Sequence, residues 1–419
     1  MISSIEALNF RCFRYINQPL RQFNVLVGPN ASGKTTFLDA ISFLGDVIAE
    51  GPEYAVKKRT DNVFDLFWEH QGNSFDLAIE ALIPDEHKVQ LPPPMYDIVR
   101  YELKVGFYPE TLEIGILGER VILRNSEPIA PLQRELFPQQ LMAPLSIYDP
   151  GERFHNAKTI IHKVPGKNDN YYSEVHPGKG KGWLPSFKFG IKKSALGNLP
   201  DDGRRFPVCT WLRQYLAEGV QELTLNSQLI KKPSPPGQPK HFKPDGSNLP
   251  WVIENLKNEY PNEFHAWVQH IGTALPEIVD IQTVEREEDR TRYLNVIYEN
   301  AGEVPSWMVS DGTLRFLALT LLAYLEDFHG TYLIEEPENG LHPKIVEPLF
   351  QSLSSVYNAQ VLVATHSPVI LGLVDLESVL CFAKLNGSTD IVTGPDHPAL
   401  KDWQGETTLG MLYAAGVLG

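Results

Sequence analysis

The amino-acid sequence predicts an α/β fold with a mixed, largely parallel sheet, an antiparallel β subdomain and an inserted segment. Three observations predict it. An apolar run, Phe23 to Val27, ends on a glycine loop that opens an amphipathic helix. A block of two-residue alternation follows from Ser74 to about Leu123. The last third of the chain then alternates helical and strand-like stretches, the rhythm of a parallel sheet.

In chain order, Ile5 to Phe10 and Phe23 to Val27 read as strands flanking a short turn. Lys34 to Ile48 reads as a helix, with Phe37, Leu38, Ile41, Leu44 and Ile48 on one face. The stretches FDLAIEAL, YELKVGF and LEIGIL read as antiparallel strands, broken once by Pro92-Pro93-Pro94. Residues 131–200 are irregular and rich in Gly and Pro, and read as an insertion between two halves of one core, 1–130 and 201–419. Lys231 to Asn248 is a loop, and helices follow at Leu249 to Tyr260 and Glu263 to Ala274. The final alternation is helix Leu314 to Phe328, strand Tyr332 to Glu335, helix Pro343 to Val356 and strand Gln360 to Ala364. A strand from Ser378 to Lys384 and a helix from Thr408 to Ala415 close the chain.

Bulk composition bounds the function. With 419 residues, 42% hydrophobic and 21% charged, wholesale disorder is excluded. A net charge of -15 argues against coating DNA with the whole surface, yet leaves room for a local basic groove. Cys12, Cys209 and Cys381 share no metal-ligand spacing and read as reduced thiols of a cytoplasmic protein. No signal peptide opens the chain and no run of about 18 apolar residues occurs, so a soluble protein without a membrane partner is expected.

Gly28-Pro29-Asn30-Ala31-Ser32-Gly33-Lys34-Thr35 matches G-x-x-x-x-G-K-[ST]. Such glycines let backbone amides turn inward around phosphates at a helix N-terminus. Lys34 would reach the β- and γ-phosphates, the Thr35 hydroxyl would hold Mg²⁺, and Asn30, Gly33 and Thr36 complete the nucleotide-binding stretch. A chance match has odds on the order of one in a hundred at average glycine usage. Tyr332 to Glu338 is an apolar strand ending in carboxylates, in which Glu335 is expected to hold the metal and Glu336 to polarise the attacking water. Glu338 reads as a loop charge.

These motifs stand in one fixed order with Phe10-Arg11-Cys12-Phe13, Ser310-Asp311-Gly312-Thr313, Glu335 to Pro343 and Ala364-Thr365-His366-Ser367-Pro368. Together they resemble the ABC-type P-loop ATPases of the RecF/SMC group, and most nearly the bacterial OLD-like ATPases, many of which serve in anti-phage defence. The resemblance covers roughly 1–80 and 200–419. It implies that Ser310 and Gly312 form a signature loop capping the γ-phosphate held by an opposite subunit, so that the protein forms a homodimer around two Mg-ATP, or a higher even-numbered oligomer. It further implies that His366 is a switch histidine facing the γ-phosphate, that Asn339 to His342 lie at the dimer axis, and that Arg11 lies near the nucleotide; pairing with a surface acid is the other reading of Arg11. Two positions depart from the pattern. The signature is Val-Ser-Asp-Gly-Thr where Leu-Ser-Gly-Gly-Gln is common, and Glu335 stands where most relatives carry Asp. The Q-loop glutamine is not assigned among Gln133, Gln139 and Gln140.

Between Glu152 and Lys193, nine basic residues face three acidic ones, a local charge of +6, with six Phe, Tyr and Trp residues interleaved. Nucleic acid, a partner protein, or a solvated face over a small aromatic core would each account for it. About fifty residues follow His366, without the spaced acidic cluster of the Toprim nuclease that OLD-type proteins append. The expectation is an ATPase that regulates a separate effector, such as a nuclease, in anti-phage defence. The alternatives are a RecF-type repair or chromosome-maintenance ATPase and, more distantly, a transporter's nucleotide-binding subunit.

Overall fold

The first strand, β1 (Ile2–Phe10), buries Ile5, Ala7, Leu8 and Phe10, and the chain turns back at once through Arg11 and Cys12. The computed structural model describes residues 1–93, 96–126, 134–149, 156–176, 186–401, 403 and 407–418. Its chain forms two units, one of Met1–Val220, Leu376–Gln404 and Val417–Gly419, the other of Gln221–Asp375 and Gly405–Gly416.

In the first unit, β2 (Phe13–Pro19) occupies the place where the sequence suggested only a short turn. It is a sheet edge with little apolar alternation: Phe13 and Ile16 are three residues apart, and Arg14, Asn17 and Gln18 are polar. β3 (Phe23–Val27) and α1 (Lys34–Glu50) follow as the periodicity predicts, then the short α2 (Pro52–Lys57). β4 (Ser74–Leu82), the one-turn α3 (Asp85–Lys88), β5 (Ile98–Phe107) and β6 (Ile114–Arg124) complete the predicted antiparallel block. Beyond them β7 (Lys158–Lys163) and β8 (Asn170–Tyr171) extend the same sheet, in the order β2-β1-β4-β5-β6-β7-β8, antiparallel throughout. Helix α1 packs on this sheet through rings: Phe43 lies 5.4 Å from Phe75 of β4 and 5.8 Å from Phe10 of β1.

Two buried carboxylates tie irregular chain to this frame. Glu119 of β6 accepts from Ser194 Oγ (2.6 Å), the amides of Ala195 (2.6 Å) and Leu196 (2.9 Å), and Tyr101 Oη (3.1 Å). Glu174 accepts from the amides of Val208 (2.7 Å) and Cys209 (2.8 Å), orphan donors at the start of α4 (Pro207–Ala217). Burial is the larger effect on both and raises their pKa values, Glu174 to about 7. β9 (Val220–Leu223) marks the passage to the second unit.

That unit opens with α5 (Ser227–Ile230) and a loop held by buried Asn248, whose amide reaches the carbonyls of Pro239 (3.1 Å) and His241 (2.8 Å). Helices α6 (Leu249–Glu259) and α7 (Pro261–Ala274) precede a three-stranded antiparallel sheet of β10 (Ile278–Glu285), β11 (Arg292–Tyr298) and β12 (Gly302–Pro305). α8 (Asp311–Leu321) starts on Ser310. It ends earlier than its apolar pattern predicts, passing into a 3₁₀ turn over Leu322–Tyr324. Phe328 lies beyond the helix and stacks on Tyr332 at 4.4 Å. β13 (Thr331–Glu335) and β14 (Gln360–Ala364) pair in parallel, Glu335 opposite Ala364. Between them lies α9 (Val346–Ser354), and after them α10 (Pro368–Leu371).

The chain then returns to the first unit as β15 (Val379–Leu385) and β16 (Ser388–Thr393), an antiparallel hairpin whose first strand runs parallel to β3. α11 (Leu409–Ala414) belongs to the second unit. Among the described residues, no helix is long and apolar enough to cross a membrane. Cys12, Cys209 and Cys381 are free thiols.

Candidate nucleotide site

In the first unit the loop between β3 and α1 turns on Gly28 (φ 150°), Ala31 (φ 61°) and Gly33 (φ 107°). Two of these positions have no room for a side chain. A Cβ on Gly28 would lie 2.3 Å from the Phe382 carbonyl oxygen, and one on Gly33 would lie 2.8 Å from Thr389 Oγ1 and 2.9 Å from Cys12 Sγ. Thr389 also donates to the Ser32 carbonyl at 2.8 Å, so the β16 strand supports the loop from behind. Lys34 Nζ arches over the loop and donates to the carbonyls of Gly28 (2.8 Å) and Pro29 (2.9 Å). Asn30 and Thr35 are exposed, Thr36 is half-buried, and Ser32 Oγ is buried without a partner among the described residues. A tight glycine turn, a lysine across it and an unpartnered buried hydroxyl at a 17-residue helix start fit a phosphate chain. Arg11 pairs with Asp39 of α1 at 3.1 Å, and Asp39 also receives Arg59 Nε at 2.5 Å.

In the second unit Glu335 ends β13, and Glu336 takes a positive φ of 44°, rare for a residue with a side chain. Its backbone is pinned from three sides. The Glu336 amide donates to Ala364 O (2.8 Å), its carbonyl accepts from the Asn339 amide (3.0 Å), and Arg315 Nη2 donates to the same carbonyl (3.2 Å). The Asn339 side chain donates to the Glu336 carboxylate. Desolvation lowers the Arg315 pKa, while Glu338 and Glu336 oppose that shift. Arg315 carries no motif signature; its place one turn after Ser310 on α8 is the only sequence hint of its role.

Ser310 is the exposed N-cap of α8, its Oγ accepting from the Thr313 amide at 3.1 Å. Asp311 pairs with Lys231. Gly312 packs directly on the loop after Glu336, with Gly340 as its neighbour. His366 follows β14, its Nδ1 2.9 Å from Tyr413 Oη. Glu338 accepts from Thr365 Oγ1 at 2.5 Å, so this loop charge steadies the backbone beside His366. The second unit thus gathers Ser310, Gly312, Glu335, Glu336 and His366, and the first gathers Asn30, Gly33, Lys34, Thr35 and Thr36.

Much of the basic segment is spent internally. Lys163 is buried against Asp169 at 2.9 Å, Lys158 donates to the carbonyls of Glu174 and His176, and Lys192 pairs with Glu113 at 2.9 Å. Lys167, Lys188 and Lys193 are exposed, while Arg153, Lys179, Lys181 and Trp183 lie outside the described residues. The Gln139 amide donates to Asp390 at 2.7 Å; Gln133 is also outside the described residues.

Comparison with known proteins finds ATPases. Residues 1–175 match the family described as AAA ATPase domain, and residues 172–372 the one described as AAA domain, putative AbiEii toxin, Type IV TA system. Over 396 residues the chain is 20% identical to the Retron Vc95 probable ATPase of Vibrio cholerae, covering 89% of this chain and 71% of that protein. A 48-residue stretch is 48% identical to the OLD nuclease of Thermus scotoductus; it is 11% of this chain and spans only 9% of the nuclease. Among solved structures, an SMC head bound to the C-winged helix domain of ScpA matches with a TM-score of 0.52 at 15% identity, covering 94% of this chain and 97% of that one. That likeness concerns the fold. Two AAA-type ATPase family models together span residues 1–372, and by these matches the chain is an AAA-type ATPase.

Proposed function

We propose that this ATPase dimerises around two Mg-ATP and that its nucleotide state controls a separate effector protein in bacterial anti-phage defence, in the cytoplasm. The observation that carries the proposal is the exposed signature turn: Ser310 and Asp311 face outward at the start of α8, while Gly312 behind them abuts the loop that shapes Glu336. A subunit built this way presents its signature to another molecule and ties it to its own acidic loop.

Within that reading Gly33, Lys34 and the loop amides bind the phosphate chain, with Asn30 and Thr36 beside them. Thr35 and Glu335 hold Mg²⁺, which supplies charge neutralisation at the phosphates when bound. Glu336 orients and deprotonates water, and His366 holds the γ-phosphate. Ser310 and Gly312 cap the nucleotide of the opposite subunit. A relative named for a retron and another named a nuclease support placing the effector in a defence setting.

ATP-dependent dimerisation is the test. Light scattering of the Glu336→Gln protein should give a monomer-to-dimer shift on adding Mg-ATP, and ADP should not produce it. A mass that ignores ATP contradicts the proposal. The SMC-head likeness favours a second reading, chromosome maintenance or DNA repair, for which selective binding to DNA ends or gaps is the discriminating result.

A further inference from the structure

We propose that Tyr413, on the terminal helix α11, is a positioning residue for His366 and makes that helix part of the catalytic apparatus. The inference rests on the reading of His366 as the γ-phosphate contact and adds what holds it in place.

The geometry is local to the second unit. His366 leaves β14 between two anchored neighbours. Thr365 is fully buried and donates to Glu338, and the Ser367 amide donates to Thr365 Oγ1 at 2.9 Å. These bonds fix the backbone on either side of the ring and do not themselves set its side-chain torsions. Tyr413 Oη meets Nδ1 at 2.9 Å. Burial, and then the charge of Glu338, raise the Tyr413 pKa, so the phenol keeps its proton at neutral pH. A protonated phenol donating to Nδ1 selects the tautomer with hydrogen on Nε2, the form that offers a donor to a phosphate oxygen.

The approach of α11 is itself built in. A Cβ on Gly410 would lie 2.2 Å from the Pro368 carbonyl oxygen, two residues beyond His366. Only glycine lets the helix come close enough for Tyr413, three residues further on, to reach the ring. Thr408 caps the helix by accepting from the Met411 amide at 3.3 Å, which sets where it begins.

A double-mutant cycle on the full-length protein tests the proposal. Tyr413→Phe keeps the ring and loses one hydrogen bond, so kcat for ATP should fall about 3- to 10-fold with KM changed less than about twofold. Because Tyr413 acts through His366, adding Tyr413→Phe to His366→Ala should cost nothing further. Gly410→Ala, which touches neither ring, should reproduce the kcat loss by lifting the helix. A Tyr413→Phe protein with wild-type kcat, or one whose loss adds in full to that of His366→Ala, overturns the role of Tyr413. A His366→Ala protein that turns over normally instead overturns the reading of His366 on which the proposal rests.

Discussion

Gly312 stands so close to Gly340 that a Cβ on the first would lie 2.7 Å from the carbonyl oxygen of the second. The contact is backbone against would-be side chain, so no flexible group can yield. It joins the signature turn to the loop whose Asn339 holds both the carbonyl and the carboxylate of Glu336.

Gly312→Ala should therefore disturb Glu336 without touching the P-loop. Turnover is expected to fall at least about tenfold, corresponding to about 1.4 kcal/mol in the barrier, while the ATP affinity of the undimerised subunit, set by its own P-loop, stays within a few-fold. Steady-state hydrolysis and nucleotide titration on the same preparation check it. Wild-type turnover would mean that the loop absorbs a methyl group without moving Glu336.

The P-loop and the acidic loop predict opposite phenotypes. Lys34→Ala removes the ammonium that bridges the loop carbonyls of Gly28 and Pro29, and ATP affinity should drop on the order of a hundredfold. Glu336→Gln keeps shape but loses the base, so binding persists and hydrolysis stops. Glu335→Gln should raise the Mg²⁺ concentration needed for activity, because a neutral amide is a weaker ligand for a hard cation. Calorimetric binding, hydrolysis and metal titration separate the three. A Glu336→Gln enzyme with normal turnover would remove Glu336 from the chemistry.

Glu174 predicts a pH effect on stability. Burial lifts its carboxyl from the ordinary 4.5 to about 7. Between those values the folded chain keeps a proton that the unfolded chain releases, so this group's stabilisation is fullest at low pH and is lost as pH rises towards about 7. The slope cannot exceed about 1.4 kcal/mol per pH unit. Glu174→Gln cannot ionise, so its melting temperature relative to wild type should climb between about pH 5 and 7.5. Parallel melting curves across that range would show that Glu174 does not titrate there.

Much of this molecule was legible in its sequence where geometry leaves no choice of residue. Gly28 and Gly33 are dictated by atoms less than 3 Å from any Cβ, and the apolar faces of β3, α1 and β14 follow from their burial. The edge strand β2 and the short β7 and β8 were not legible, because edges and polar hairpins carry little alternation. The irregular chain around 194–196 is ordered by one distant carboxylate, Glu119, which no local pattern announces. Arg315 and Tyr413 are single side chains on ordinary amphipathic helices, and only tertiary contact gives them a role.

The central claim is that each active site needs two chains, and mixing two inactive proteins tests it most directly. Lys34→Ala and Ser310→Arg homodimers should each be inactive, since either change spoils both composite sites. In a mixed dimer both lesions fall in one site and the other is intact. Random exchange makes half the dimers mixed, each with one good site, so recovery should approach but not exceed about a quarter of wild-type hydrolysis if sites act independently. Recovery in the mixture, absent from either protein alone, is the predicted result. No recovery despite dimers formed in the same samples, or a Ser310→Arg protein that hydrolyses ATP normally by itself, would contradict the composite site.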